Sequence, residues 1–351
     1  PYSDFSMPDE VCREEAVVFS NNSANGDSYL WDFCSGDLAL NLDDQITTST
    51  IDNVSFPVGL DIIQENGVWF GFLTNRDDNL IKRLYFGISL DNSPTITTLP
   101  TNAAYAKPEW IELIKENQTW IAFAVNFTNS HLLQLVFENG LDADPIVTSL
   151  GDFGGKLKKT RGLEIVATSS GNYIFISSND DDKVYRVSFG NSFLNSPNSN
   201  DATEIANSAN GIDGPMGISM IKDCDTWYGI LASNTGKKIH KLDFSAGIGV
   251  NPVVTLVTAT PNSPTDLAFV HDGDQFYGIA SSDAGNIYRV GFGSDITVNT
   301  PPSFENLGNQ AVLNNAFGFN LTMSNSIWHL FSVDFSANQL HQLTFEQNCT
   351  A

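Results

Sequence analysis

A short strand motif that ends in Phe recurs along the chain at intervals of about fifty residues. Its clearest copies are Lys82–Gly87, Tyr185–Gly190 and Tyr288–Gly293, which read KRLYFG, YRVSFG and YRVGFG. With the weaker copies, the motif marks Phe33, Phe86, Phe137, Phe189, Phe244, Phe292 and Phe345. A period in this range is typical of propellers and other repeat arrays, so we predict that one repeat fold occupies nearly the whole chain.

Within one period the sequence indicates four short antiparallel strands. In the unit that begins at Phe56 the strand-like segments are VGLDII, VWFGFLTN, NLIKRLYFG and PTITTLP, separated by the turn residues ENG, RDD and SLDNS. The following units repeat this order, and no helical periodicity of useful length occurs. Four-stranded units of this kind are propeller blades, so the predicted class is all-β.

The number of units predicts the number of blades. We expect a single β-propeller domain over 1–351 with seven blades, in units of about 13–55, 56–107, 108–159, 160–213, 214–262, 263–313 and 314–351. The first and last units are incomplete, so the N- and C-terminal segments are expected to close the ring, because an open ring would leave exposed strand edges. The alternative is six blades, with the N-terminal hairpin attached outside the ring.

Charge and hydropathy restrict the partners. The net charge of −24, from 17 basic and 41 acidic residues, argues against nucleic acid and anionic membrane surfaces. No run of about 18 apolar residues is present, so membrane insertion is not expected. The four cysteines are scattered without metal-binding spacing, which favours an exported chain with a disulfide. We expect Cys12 to pair with Cys34, with Cys349 as its alternative partner, and Cys224 to be free.

Catalytic motifs are absent from the sequence. There is no G-x-S-x-G, H-E-x-x-H or phosphate-binding glycine loop. The segment Ser281–Tyr288, SSDAGNIY, fits the Asp-box pattern, which stabilises a hairpin turn. Arg83, Arg186 and Arg289 occupy equivalent strand positions and are expected to face neighbouring blades instead of one pocket. No catalytic residue is therefore predicted, and the chain is not expected to be an enzyme.

Two loop features are candidate sites, because loops carry function on a propeller scaffold. The loop GDFGGKLKKTRG concentrates Lys156, Lys158, Lys159 and Arg161, which could recognise a carboxylate or sulfate on a glycan. The acidic turn Asp180, Asp181 and Asp182 could hold Ca²⁺ through oxygen ligands. No other cofactor is predicted. The alternative for both features is a solvated surface loop.

Several segments carry a resemblance to a known class of proteins. The stretch VCREEAVVFSNNSANGDSYLWDFCSGDL and the turns FGISLDNSP and FGNSFLNSP resemble the propeller region of very large surface proteins of Bacteroidota. Those proteins carry PKD-type repeats and are exported by the type 9 secretion system; the gliding-motility adhesins are among them. The resemblance implies an extracellular or cell-surface location and a displayed binding role, with other domains of a longer parent chain as partners.

Together these observations predict a non-catalytic, cell-surface or secreted binding or adhesion module. Its expected partner is a polysaccharide or a cell-surface protein. The alternative is a propeller enzyme that cleaves glycans, of the glycoside hydrolase or lyase type, which would need two carboxylates about 5–10 Å apart in one pocket.

Overall fold

A computed structural model describes residues 5–6, 18, 20–22, 35–42, 46–51, 54–297 and 301–348. These residues form an all-β propeller of six blades, each an antiparallel sheet of four strands. They contain no α-helix, and two short 3₁₀ turns are the only helical segments among them. None of these turns is long and apolar enough to cross a membrane.

The blades are numbered in chain order from residue 57. Their first, innermost strands are Pro57–Glu65 (β5), Pro108–Glu116 (β9), Thr160–Thr168 (β13), Pro215–Asp223 (β17), Pro264–Asp272 (β21) and Ala316–Ser324 (β25). The second strands are Val68–Asn75 (β6), Thr119–Asn126 (β10), Gly171–Ser178 (β14), Thr226–Ser233 (β18), Gln275–Ser282 (β22) and Ile327–Asp334 (β26). The third strands are Leu80–Gly87 (β7), Leu132–Phe137 (β11), Lys183–Gly190 (β15), Lys238–Asp243 (β19), Ile287–Gly293 (β23) and Gln339–Thr344 (β27).

The outermost strands of blades 1 to 5 are Thr95–Thr98 (β8), Ile146–Gly151 (β12), Ala202–Ala206 (β16), Val253–Ala259 (β20) and Ser303–Gly308 (β24). Blade 6 takes its outermost strand, Thr47–Thr50 (β4), from the N-terminal part of the chain. Two smaller sheets pair Phe5–Ser6 (β1) with Ser20–Asn21 (β2) and Ser35–Gly36 (β3) with Gln347–Asn348 (β28).

The ring therefore closes within blade 6, and the prediction of seven blades is wrong; the six-blade alternative matches. Residues 35–50 do not form a blade of their own. Strand β3 pairs with β28, and β4 then pairs with β27, with Thr50 opposite Gln339. This segment thus supplies the outer strand that the C-terminal part of blade 6 lacks. Without it, the outer edge of β27 would be unpaired.

Side chains on the third strands confirm this equivalence. Arg186 Nη1 donates to the carbonyl oxygens of Ile248 at 3.0 Å and Val250 at 2.9 Å, in the third-to-fourth connection of the next blade. Arg289 makes the same contacts with the N-terminal segment, where it donates to Leu38 O at 2.6 Å and Leu40 O at 2.5 Å. The arginines of this column therefore face neighbouring blades, as expected from the sequence.

The recurring Phe of the third strand packs between blades. Phe137 of blade 2 lies 5.3 Å from Phe72 of blade 1, measured between ring centroids, and Phe244 of blade 4 lies 5.5 Å from Phe175 of blade 3. All four rings are buried. Edge-to-face pairs of this kind add to the stabilisation from burial, so the sequence motif records a packing requirement of the scaffold.

The cysteine predictions have different outcomes. Cys224, which was expected to be free, is disulfide-bonded, so that prediction is wrong. It lies in the turn between β17 and β18. The pairing predicted for Cys12 and Cys34 lies outside the described residues, as does Cys349.

Closure by the N-terminal segment predicts that Leu38 is part of the core. Its side chain is fully buried in a cluster with Leu330, Leu343 and Phe345 of blade 6. Leu38→Ala should lower the free energy of unfolding by about 2–5 kcal/mol through lost burial and a residual cavity. Leu194→Ala, at a side chain that is 49% exposed, is the matched control and should change it by less than about 0.5 kcal/mol. Equal effects in urea unfolding would contradict this closure.

Candidate functional site

The first strands of all six blades line a cavity of about 180 Å³, which places it on the propeller axis. Each of these strands contributes one polar side chain to the lining. We call these six residues the axial ring: Asp61, Glu112, Glu164, Ser219, Asp266 and Asn320. Five of them stand at the same position of their strand. In blade 5 that position is Ala268, and Asp266, two residues earlier, takes its place.

Each side chain of the axial ring bonds to the next blade. The backbone N–H groups that donate are Leu113 (2.8 Å to Asp61), Ile165 (2.9 Å to Glu112), Met220 (3.1 Å to Glu164), Phe269 (3.1 Å to Ser219) and Phe319 (2.9 Å to Asp266). The ring closes at Asn320, whose Nδ2 donates to Asp61 Oδ1 at 3.1 Å. These bonds give a hydrogen-bond partner to backbone groups that lie where no sheet partner is available.

Burial raises the pKa of every carboxyl group in the axial ring. The pKa of Asp61 rises to about 6 and that of Glu164 to about 8, because both groups are desolvated. The pKa of Glu112 is raised well above its usual value by burial and by the neighbouring Glu164, with which it shares a hydrogen bond. Desolvation also raises the pKa of Asp266 well above the usual range. At neutral pH the ring therefore retains protons.

A second group of residues lies on the face that carries the second-to-third strand turns and the fourth-to-first connections, which we call the upper face. Rings and guanidinium groups from four blades contact one another there in a row. We call this row the stacked arc, and in spatial order it contains Phe317, Phe335, Phe56, Arg76, Phe127 and Arg161. All six side chains are half-buried, so the arc retains surface that solvent reaches.

The contacts along the stacked arc are close. The ring centroids of Phe317 and Phe335 are 4.9 Å apart, and those of Phe335 and Phe56 are 4.2 Å apart. Arg76 Cζ lies 4.7 Å from the centroid of Phe56 and 4.1 Å from that of Phe127. Arg161 Cζ lies 4.5 Å from the centroid of Phe127. Cation–π attraction therefore connects blades 1, 2 and 3 on this face.

A buried carboxylate sits between the two arginines. Glu109, with a side chain only 1% exposed, forms an ion pair with Arg161 Nη1 and another with Arg76 Nε at 3.3 Å. Burial raises the pKa of Glu109, and the charges of Arg161 and Arg76 oppose that shift. Two guanidinium groups share this one carboxylate. The cluster of Arg76, Arg161 and Glu109 therefore carries an excess of positive charge, in a chain whose net charge is −24.

The backbone beside the stacked arc is strained. The residues that precede the first strands of blades 1, 2 and 3 are Phe56, Lys107 and Lys159, with φ of 66°, 56° and 44°. The left-handed region is costly for residues with a Cβ, and in blade 4 the equivalent residue is Gly214, with φ of 59°. The conformation therefore belongs to the start of the first strand and is shared by blades inside and outside the arc.

The predicted basic site is divided by the structure. Arg161 belongs to the stacked arc, and Lys159 Nζ lies 5.9 Å from the centroid of Phe127 and 2.9 Å from Asp180 Oδ2. Lys156 Nζ donates to the carbonyl oxygens of Ser199 at 2.5 Å and Ala202 at 2.7 Å, so it attaches its loop to the start of the outermost strand of blade 3. Lys158 is exposed.

The three aspartates of the predicted Ca²⁺ site do not converge. Asp180 pairs with Lys159, Asp181 Oδ1 accepts from Ser178 Oγ at 2.5 Å, and Asp182 Oδ1 accepts from Gly214 N at 2.8 Å. Across the part of the chain that the structure describes, no three His, Cys, Asp or Glu side chains are arranged to hold a metal ion. The geometry of this turn therefore does not support the cation site.

Sequence reasoning missed the axial ring and most of the stacked arc, although both leave a signal in the repeat. Asp61, Glu112 and Glu164 are acids at the same position of an otherwise apolar strand. In the second-to-third turns, Asn179 and Asn234 bond to the next blade through Pro215 O at 3.2 Å and Pro264 O at 3.0 Å. The same turn position holds Arg or Phe in blades 1, 2 and 6: Arg76, Phe127 and Phe335.

Comparison with known proteins supports the fold. No protein-family model matches the sequence, and no curated protein matches it. A chain in the crystal structure of a nidogen/laminin complex matches with a TM-score of 0.52 at 11% identity, over 78% of this chain and 91% of that chain. A GH43_1 enzyme from Xanthomonas citri, solved in complex with xylose, matches with a TM-score of 0.46 at 7% identity, over 70% of this chain and 84% of that chain. At these identities the likeness concerns the propeller fold and not the activity.

The raised pKa values in the axial ring predict how stability depends on pH. The folded state binds more protons than the unfolded state wherever pH lies between the unfolded value, near 4, and the folded value. The stabilisation is complete below pH 4 and is lost as pH rises through about 6 for Asp61 and about 8 for Glu164. Glu164→Gln should reduce the loss of unfolding free energy between pH 5 and pH 8, by at most about 1.4 kcal/mol per pH unit.

The matched control for this measurement is Glu138→Gln, at an exposed glutamate on the side of blade 2. It should retain the pH dependence of the wild-type protein in urea unfolding. If Glu164→Gln and Glu138→Gln show the same slope between pH 5 and pH 8, Glu164 is ionised in the folded state and the prediction is wrong.

Proposed function

We propose that this chain is a non-catalytic binding module and that its ligand, a polysaccharide, lies on the upper face across the stacked arc. One observation carries the proposal. The arc departs from the repeat: in blades 6, 1 and 2, the half-buried Phe335, Arg76 and Phe127 stand at the turn position where blades 3 and 4 have asparagine. Positions where a sequence departs from the pattern of its own scaffold are typical of functional sites.

The chemistry of the stacked arc suits a sugar chain. A pyranose ring presents C–H groups on its faces, which pack against the aromatic surface that the arc leaves accessible at half-buried rings such as Phe56 or Phe127. Arginine donors beside the rings can bind hydroxyl or acidic oxygens of the same sugar. The row of contacts that runs from Phe317 to Arg161 could accept several successive sugar units.

The axial ring supports the non-catalytic part of the proposal. Glycoside cleavage by two carboxyl groups needs both of them free to contact the sugar at the bond that is cleaved. Glu112 and Glu164 are both desolvated, and each uses an oxygen to bond the next blade at 2.9 Å and 3.1 Å. A structural role accounts for these contacts, and the cavity of about 180 Å³ offers little room for a polymer.

The proposal extends to where the module works. We infer that it is displayed outside the cell, at the surface or after secretion, as part of a longer parent chain. The acidic composition and the resemblance of its turns to those of large surface proteins of Bacteroidota favour this location. Detection of the protein on intact cells by antibody labelling would test it, and labelling only after cell lysis would contradict it.

A binding screen with purified protein tests the proposed function. We expect a polysaccharide ligand in a glycan array, with an affinity that Phe127→Ala lowers about ten-fold or more, because an aromatic anchor commonly contributes more than about 1.4 kcal/mol. Tyr85→Ala, at an aromatic side chain that is 47% exposed on the side of blade 1, is the matched control and should bind as the wild type does.

The same screen separates binding from catalysis. Incubation of each bound glycan with the protein should leave its chain length unchanged. Cleavage that Glu164→Gln abolishes would overturn the proposal in favour of a glycoside hydrolase or lyase, with the reacting groups in the axial ring.

A further inference from the structure

We propose that the ligand carries a carboxylate group and that Arg76 and Arg161 bind this group beside Phe127. This inference rests on the proposed function and specifies the chemical class of its ligand, a polysaccharide that contains uronic acids. A requirement for this carboxylate would distinguish the module from one that recognises neutral sugars through aromatic packing alone.

The first argument is that the two arginines have unused donors. A guanidinium group has five N–H donors. The Arg76 side chain makes no hydrogen bond to any residue within the described part of the chain, and its ion pairs are those of Nε with Glu109 at 3.3 Å and Asp77 at 3.9 Å. Arg161 donates only through Nη1, to Glu109, among those residues. The Nε atoms of both arginines are buried without a hydrogen-bond partner.

The second argument is that the arginines are held in place. Arg76 Cζ lies over Phe56 and Phe127, at 4.7 Å and 4.1 Å from their centroids, and Arg161 of blade 3 lies over Phe127 of blade 2. Side chains that are already ordered lose little rotamer entropy when they bind, so an anion gains most of the energy of the new hydrogen bonds. A scaffold role alone would not need a charged side chain such as Arg76 at the turn position where blades 3 and 4 have asparagine.

The third argument concerns the balance of charge. Arg76 and Arg161 share the buried Glu109, and the further carboxylate near Arg76, Asp77 at 3.9 Å, also pairs with Lys107, so positive charge remains in excess. Burying unequal charge is costly unless another group compensates it. The neighbouring cations are already paired, with Lys107 Nζ 3.0 Å from Asp77 and Lys159 Nζ 2.9 Å from Asp180. An incoming carboxylate would complete the balance at Arg76 and Arg161. A planar carboxylate also matches the paired donors of a guanidinium group better than a neutral hydroxyl does.

The test uses acidic sugars and their own esters. Oligomers of galacturonate, glucuronate and mannuronate are titrated into the wild-type protein by calorimetry, each beside its methyl ester, which differs only by loss of the charge and a small added group. We expect at least one acid to bind ten-fold or more tightly than its ester. Arg76→Gln should reduce this preference to less than about two-fold while weak binding of the ester persists.

Two further variants make the test specific. Lys237→Gln removes one positive charge from an exposed residue in the equivalent turn region of blade 4, and it should retain the full preference. Arg76→Lys preserves the charge opposite Glu109, so folding is protected, but it lacks the paired donors and should lose most of the preference. Thermal unfolding of each variant within a few degrees of the wild type confirms that the loss arises at the site.

The outcomes separate the two proposals. If no sugar of any kind binds, the proposed function fails. If acids and esters bind equally, or if Arg76→Gln and Lys237→Gln lower the preference alike, polysaccharide binding stands and the carboxylate site is wrong. Preferential binding of a sulfated galactan over every uronate would also overturn the assignment to a carboxylate.

Discussion

Each innermost strand of this propeller is tied to the next by a polar side chain at the axis, and the rest of the fold depends on these bonds. The strands meet where they have no sheet partner on the axial side, so their backbone N–H groups need acceptors. Asp61, Glu112 and Glu164 supply acceptors to the blade that follows each of them. The consequence is a group of desolvated carboxyl groups whose pKa values are raised, to about 6 for Asp61 and to about 8 for Glu164.

The scaffold is regular where the blades pack and irregular where we place the ligand. Buried Phe pairs such as Phe72 with Phe137 recur from blade to blade because every junction has the same packing problem. The turns of the upper face are partly exposed, so their residues do not have to meet the packing requirement of the blade junctions. There, Arg76 and Phe127 replace a turn residue that elsewhere bonds the next blade through an amide, as Asn234 does with Pro264. Function can therefore vary on this face without loss of the ring.

Because of the repeat, the fold class, the four-stranded blades and the face of the propeller on which each turn lies could be predicted from the sequence. The number of blades could not be, because the motif that ends at Phe33 resembles a third strand while the segment after it completes blade 6. The basic loop pointed to Arg161, but the pairing of Arg161 with Glu109 and Arg76 joins residues 52 and 85 positions apart. Such groupings depend on the ring geometry. The axial acids do recur at one strand position, but the sequence does not show which groups they contact.

The central claim is that the ligand lies on the stacked arc and not in the axial cavity. A crystal structure of the protein with a bound uronate oligomer tests this most directly. The account predicts sugar rings against Phe56 and Phe127, with a carboxylate within hydrogen-bond distance of Arg76. A sugar unit seated in the axial cavity, against Asp61 and Glu112, would contradict the account and would make these carboxyl groups the functional ones.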